Sequence, residues 1–326
     1  MRKLLHILLP LCLLTACQGG SGERKKTLGK TVSQPYELLL VADKSWMSTA
    51  QGRQLLTILN ERIPGLNQPE ANFRITNINE TAFDGTFKYY ASILTIKTGK
   101  DIDKPELLIA RNPYARQQLM LTLQAPDEAD IVEYAELHSQ QIMELLVENE
   151  LEREEAVLNS KHSGKMLTAV KRMFGYQIHA PEDVNNLKEG RNFIWGTSDG
   201  RLNELNVCVY SLPITTSLTP DALVAARDSV MAINILGNRD GQHMATDPEG
   251  IIVKERKLNG HVITEMRGLW AMENDMMGGP FVSFFYPDST SRRTLVAEGF
   301  VYKPNKNKRN LIRELEAALR TFSAWN

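Results

Sequence analysis

The chain has 326 residues, 42% apolar and 24% charged, with 38 Lys and Arg against 39 Asp and Glu for a net charge of −1. That is the balance of an ordinary globular protein, long enough for one large or two medium domains. It lacks the clustered basic excess that nucleic-acid binding requires, so no nucleic-acid partner is expected.

The first element is a leader. Arg2 and Lys3 precede a run from Leu4 to Leu14 that is apolar except for His6 and is interrupted by Pro10. A spanning helix needs roughly 18 or more apolar residues, so residues 1–16 read as a cleaved signal. Leu14-Thr15-Ala16-Cys17 resembles the lipobox of bacterial lipoproteins. The resemblance implies that Cys17 becomes the N-terminus and carries acyl chains, each buried methylene contributing about 0.8 kcal/mol to anchoring. The membrane is then a partner through lipidated Cys17. With Cys12 lost in the leader and Cys17 acylated, Cys208 stands alone and no intrachain disulfide is expected. Cys208 lies in an apolar strand-like run, where a buried small hydrophobe is a better reading than a nucleophile.

Residues 17–34 read as a flexible tether, polar and rich in Gly, Ser and Lys. Gln18-Gly19-Gly20 follow the cysteine, where surface-exported lipoproteins of the Bacteroidota carry acidic residues, and by that resemblance an outer-membrane position facing the periplasm is implied.

The body divides at Gly164 into halves 35–163 and 164–326. In the first, strands are expected at 36–42, 73–78, 91–97, 107–111 and 117–124, the last two as a hairpin. A helix at 49–62 ends at Pro64-Gly65, and a long helix covers 127–160. That helix is strongly acidic from Glu150 to Glu155, a solvated face or an arm for a basic partner. The second half gives helices at 165–174, 219–235 and 307–322. Its strands fall at 176–179, 192–195, 206–211, 251–256, 262–269, 281–286 and 294–302. Strands in hairpin runs make the class α+β, with antiparallel-rich sheets and helices packed on one side. Each half ends strand–turn–strand–Pro–helix, which makes two related halves a testable expectation.

Candidate chemistry is sparse. Gly196-Thr197-Ser198-Asp199-Gly200 has the spacing of a nucleophile elbow, but a strand rather than a helix follows, so a hairpin turn is the better reading. His243, Asp247 and Glu249 form the nearest approach to a metal or acid–base group, without a ligand spacing such as HExxH. No cofactor or metal motif is present. Residues 267–281 combine Arg267, Trp270, Asp275 and several methionines in a strand–turn–strand connection, a mixture suited to a ligand groove or to a core hairpin.

Five segments carry a resemblance: GYQIHAPEDVNNLKEGRNFIW (175–195), LNVCVYSLP (205–213), ARDSVMAINI (226–235), RGLWAMENDMMGGPFVS (267–283) and VAEGFVYKP (296–304). They are similar to an uncharacterised lipoprotein family of the Bacteroidota described only as a domain of unknown function. The resemblance implies an exported lipoprotein and supplies no activity or catalytic residue. The expected role is a lipid-anchored envelope protein that binds a small ligand or another envelope protein without catalysis. The alternatives are an envelope hydrolase using Ser198 or the His243/Asp247/Glu249 group, and a structural subunit of a membrane-bound complex.

Overall fold

The structure, a computed structural model, describes residues 28–198 and 204–325. Cys17 lies outside the described residues. The first domain contains strands β1 (Gly29–Lys30) and β2 (Glu37–Val41), helices α1 (Lys44–Met47) and α2 (Ala50–Leu59), and strands β3 (Arg74–Ile78) and β4 (Ser92–Thr98). Strands β5 (Glu106–Arg111), β6 (Ala115–Arg116) and β7 (Leu119–Ala125) follow, then helices α3 (Glu128–Leu137) and α4 (Ser139–Ser160). The second comprises α5 (Gly164–Phe174), β8 (Tyr176–Gln177), β9 (Asn186–Gly190), β10 (Phe193–Thr197), β11 (Glu204–Pro213) and α6 (Pro220–Asn234). It continues through β12 (Met244–Leu258), β13 (His261–Met272), β14 (Gly278–Asp288), β15 (Arg293–Tyr302), α7 (Arg309–Arg320) and β16 (Ser323–Ala324).

The class is α+β. The second domain is built on a seven-stranded sheet, β12-β13-β14-β15-β11-β10-β9, in which all pairs are antiparallel. The first departs from the hairpin expectation. Its sheet runs β3-β2-β4-β7-β5, and only β5 is antiparallel. The cause is β2, whose Leu38, Leu39 and Leu40 are all fully buried. A strand apolar on both faces suits a covered, parallel sheet.

Helices cover both faces of the large sheet, which corrects the one-sided expectation. Val207, Val282, Phe284 and Ala297 face α5 and α7. Tyr210, Met266, Trp270, Phe285 and Phe300 face α6. The central strands β11, β14 and β15 are buried on successive residues, so neither face can be left to solvent. Gly299 lets α7 approach β15 closely, since a Cβ there would lie 2.7 Å from that of Leu315.

Three further expectations are corrected. The long acidic helix is two helices, parted at His138 (φ −113°, ψ 17°), which stacks on Tyr134. The body begins at Gly29 rather than after residue 34, because β1 pairs with β6 and Val32 donates its amide to Tyr89 O. Duplication extends no further than a shared hairpin followed by a helix (β5–β7–α3 and β14–β15–α7), since the sheets that contain the hairpins differ in strand direction and order.

The two domains are bound along the length of α7. Glu70 of the first domain accepts the amides of Lys308 and Arg309 at its N-terminal end, at 2.6 and 3.2 Å. Leu151 and Leu158 of α4 pack on Ala317 and Ala318 in mid-helix. At the other end Arg320 is bonded to Glu148 and Glu155 of α4. Within the expected acidic stretch, Glu155 therefore serves the α7 interface together with Glu148, whereas Glu152 stays half-exposed beside Arg111. Glu150 is 1% exposed and accepts from Ser92 Oγ at 2.7 Å and Arg153 at 2.5 Å.

Among the described residues Glu314 on α7 has no such partner. Burial, with Glu154 and Asp183 nearby, raises its carboxyl from 4.5 to about 7. An acid whose value is raised on folding binds more protons in the folded state, so its contribution to stability is lost as pH climbs from about 4.5 to 7. Glu314→Gln should therefore raise stability at pH 8 by about 1–3 kcal/mol and change little at pH 4. Urea denaturation at the two pH values measures this. An equal effect at both would contradict it.

Candidate functional site: a charged cleft between the domains

Where the first domain's 61–72 loop and α4 meet β12, β13 and α7, a cleft of about 740 Å³ remains. Its floor is a buried ionic cluster. Glu316 and Glu265 are each 1% exposed, and Arg267 and Arg313 are 4% and 6% exposed. Arg267 Nε donates to Glu265 at 2.5 Å and its Nη2 lies 2.6 Å from Glu316. Arg256 Nη1 reaches both carboxylates, at 2.7 and 3.0 Å. Arg313 donates to Glu316 at 2.6 Å and to Asn72 Oδ1, in the other domain, at 2.5 Å.

Burial alone would push the Glu316 carboxyl up, but Arg267, Arg313 and Arg256 overcome it and hold the group well below the carboxylate range. Burial likewise opposes the charge on Arg267, yet Glu316 and Glu265 keep its value above the usual one. Around this cluster the cleft is lined by further groups of both signs, Glu61, Glu144, Glu148 and Glu255 with Lys254 and Lys257. Met143, Leu145 and Val147 of α4 give the cleft an aliphatic side, with Gln140 and Gln141 beside them. Such a mixture of apolar wall and oriented polar groups suits binding.

A second hollow, about 930 Å³, lies at the carboxyl ends of β2 and β4 and is lined by Asp43, Asn79, Lys97, Asp101 and Lys104 among others. The chain runs from β2 to β3 on one side and returns to β4 on the other, so this is a topological switch point of the kind where open parallel sheets take ligands.

Of the residues singled out from sequence, Arg267 lies in the cleft. Trp270 and Asp275 do not join it. Strand β13 is regular across 267–271, so Arg267 and Trp270, three apart, point to opposite faces. Trp270 packs on Phe300 at 5.4 Å and donates Nε1 to Val301 O at 3.2 Å, which makes it core. Asp275 sits on the β13–β14 turn and accepts from Gln242 Nε2 at 3.1 Å. The groove of Arg267, Trp270 and Asp275 is therefore not formed.

Ser198 closes the β10–β11 hairpin. Its amide donates to Leu205 O and its Oγ accepts from Leu205 N, each at 2.9 Å. Residues 199–203 of the elbow-like segment lie outside the described residues. His243, Asp247 and Glu249 are placed on or beside the edge strand β12, where Asp247 accepts the Glu249 amide at 3.0 Å and His243 Nδ1 lies 3.3 Å from Gly241 O. Among the described residues no three His, Cys, Asp or Glu side chains converge as metal ligands. Cys208 is fully buried, and burial followed by the nearby Glu298 carboxylate pushes its thiol well above the ordinary value.

The sequence reading missed Arg256, Arg313 and Glu316. A signal existed. Arg313, Glu316 and Arg320 recur at three- and four-residue steps beside the apolar stripe of Ile312, Leu315 and Leu319, so a charged stripe flanks the buried one.

No curated protein matches the chain. Residues 31–159 match the family model of a domain of unknown function (DUF8532), and residues 163–321 match that of another (DUF4837). The two matches together span the cleft, the hollow and the hairpins, and both models are described only as being of unknown function.

Proposed function

We propose that the chain is a lipid-anchored binding protein of the bacterial envelope, moored to the outer membrane through acylated Cys17, facing the periplasm, and taking a ligand in the interdomain cleft. The observation that carries the anchoring is a short basic–apolar leader ending in Leu14-Thr15-Ala16-Cys17. Binding without catalysis is supported by the lining of the cleft. Its walls hold guanidiniums, carboxylates, amides and aliphatic groups, while Ser198 and Cys208 lie elsewhere. The alternative of a structural subunit relied on free acids along α4, and Glu148 and Glu155 are engaged by Arg320. A hydrolase through Ser198 would need its Oγ freed from the Leu205 amide.

Growing cells on radiolabelled palmitate tests the anchor. The wild-type chain should be labelled and membrane-bound, and Cys17→Ser should be unlabelled and released. Label persisting in Cys17→Ser, or absent from the wild type, would overturn it.

A further inference from the structure

We propose that the amino end of the first domain's parallel sheet rests on an anionic lipid bilayer, meeting it with Lys30, Arg116, Val32, Tyr89 and Tyr114. This deepens the envelope-protein reading and rests on acylated Cys17 to bring that end to a membrane.

Topology gathers these residues at one end. Strands β2, β4 and β7 run parallel, and residues 29–36, 85–91 and 112–118 lead into their amino ends. The three segments are joined to one another. Strand β1 pairs with β6, Gly29 opposite Ala115 and Lys30 opposite Arg116, and Val32 N donates to Tyr89 O at 3.0 Å. Buried Gln118 ties the other two, donating to Lys88 O and Tyr90 O at 2.7 and 2.6 Å and accepting from Tyr114 N at 2.9 Å. Ala115 is buried, so the next residue, Arg116, and the opposed Lys30 turn outward, where both are exposed.

Reach selects this end. Residues 18–28 separate Cys17 from Gly29, and a chain of that length spans at most about 40 Å however it is arranged. An acylated Cys17 keeps β1 within that distance of the headgroups, and the surface around β1 is the first to meet them.

The chemistry of that surface fits the same partner. Val32, Tyr89 and Tyr114 are exposed, and tyrosine favours the headgroup level of a bilayer. Asp84, Glu37, Glu150 and Glu152 are each matched by a base, Lys88, Arg74, Arg153 and Arg111, at 2.9, 3.8, 2.5 and 3.6 Å. Lys30 and Arg116 have no acidic partner among the described residues. Arg24, Lys25 and Lys26 precede them with Glu23 alone in opposition. The surplus is positive, and each base brought to an anionic surface strengthens binding about fivefold. Docked in this way, the hollow at the carboxyl ends of β2 and β4 faces away from the bilayer, one seven-residue strand or about 20 Å beyond it.

The test places an environment-sensitive fluorophore at Val32→Cys or, past the far end of β4, at Lys104→Cys. Cys208 is fully buried and stays unlabelled. The acylated chain is reconstituted in vesicles of phosphatidylethanolamine with one-quarter phosphatidylglycerol, and the Cys17→Ser chain is mixed with the same vesicles at low salt. In both, nitroxide-bearing lipid should quench the label at residue 32 severalfold more than the label at residue 104. Lys30→Gln combined with Arg116→Gln should weaken lipid binding by the Cys17→Ser chain about thirtyfold, and phosphatidylcholine alone should bind as weakly. Both side chains are exposed, so the thermal midpoint should hold. Should it fall, Lys30→Gln alone should lose about fivefold.

Equal quenching at the two positions, equal binding to phosphatidylcholine, or undiminished binding by a folded double variant would each overturn the proposal. Palmitate labelling of Cys17 with equal quenching would remove the docking face and leave the anchor standing. A chain that is never acylated, yet meets anionic vesicles through residue 32, would do the reverse.

Discussion

Arg227→Ala should cost the fold about 3–5 kcal/mol, the toll of stranding one member of a buried ion pair. Arg227 and Glu298 are each 0% exposed, between α6 and the seven-stranded sheet. Arg227 Nε lies 3.1 Å from both Glu298 oxygens, Nη2 lies 2.8 Å from one, and Nη1 donates to Thr246 at 2.8 Å. Its guanidinium also stacks over Phe281, 4.1 Å from the ring centre. Tyr210 and Ser283 donate to the same carboxylate, at 3.2 and 2.8 Å. Truncation leaves the buried Glu298 carboxyl with Tyr210 and Ser283 as its remaining donors among the described residues. The double variant Arg227→Met with Glu298→Gln removes both charges and keeps an acceptor for those hydroxyls. It should recover to within about 2 kcal/mol of the wild type. Urea midpoints of the single and double variants decide the matter. Equal destabilisation would mean that lost packing, and not the unpaired charge, carries the cost.

Glu316→Gln should have a comparable effect, about 3–5 kcal/mol at pH 7, because it leaves Arg256 and Arg267 with Glu265 alone and takes from Arg313 its carboxylate partner. Its pH dependence separates this cause from a packing defect. The folded carboxyl is held well below 4.5, so the folded state binds fewer protons than the unfolded one. Glu316 therefore stabilises the fold above about pH 4.5, and that contribution is lost as pH falls through the folded value. The gap between wild type and variant should be widest near neutrality and should shrink on acidification. Glu314, two residues earlier on the same helix, has the opposite sign because burial, followed by the nearby Glu154 and Asp183, raises its carboxyl. A gap independent of pH would show that the glutamine acts through shape.

The sequence disclosed much of the element order. Periodicity and punctuation placed α5 between Ser163 and Gly175, where Ser163 caps Met166 N and Gly175 is left-handed (φ 71°). Strands β11, β13, β14 and β15 were equally legible as apolar runs. Direction was harder to read. The order β2–α2–β3 is itself a strand–helix–strand unit, and the continuous apolar character of Leu38–Leu40 argued for parallel neighbours. Weight given to later hairpins hid that signal.

The site shows a different limit. Arg267 was visible as a charged residue in an apolar strand, but the cluster around it draws on Arg256 of β12, on Glu316 and Arg313 of α7 and, through Arg313, on Asn72 of the other domain. No local pattern joins residues 72, 256, 267 and 316. One local rule would have excluded Trp270, since an odd spacing on a regular strand points two side chains apart. The acidic stretch of α4 was misjudged for a related reason. Composition marked Glu150–Glu155 as surface charge; Glu152 is exposed, but Glu150 is buried and Glu155, with Glu148, is docked against Arg320.

A ligand site between the domains requires that they form one body with a fixed cleft. Spin labels on Gln141→Cys and Lys257→Cys, across that cleft, report its width by pulsed electron resonance in a Cys17→Ser background. Cys208, fully buried, should remain unlabelled. A single narrow distance distribution is the expected result, widened by Arg320→Ala as the link from α7 to Glu148 and Glu155 is cut. A broad distribution in the parent protein would mean that the domains move independently, and that no built site lies between them.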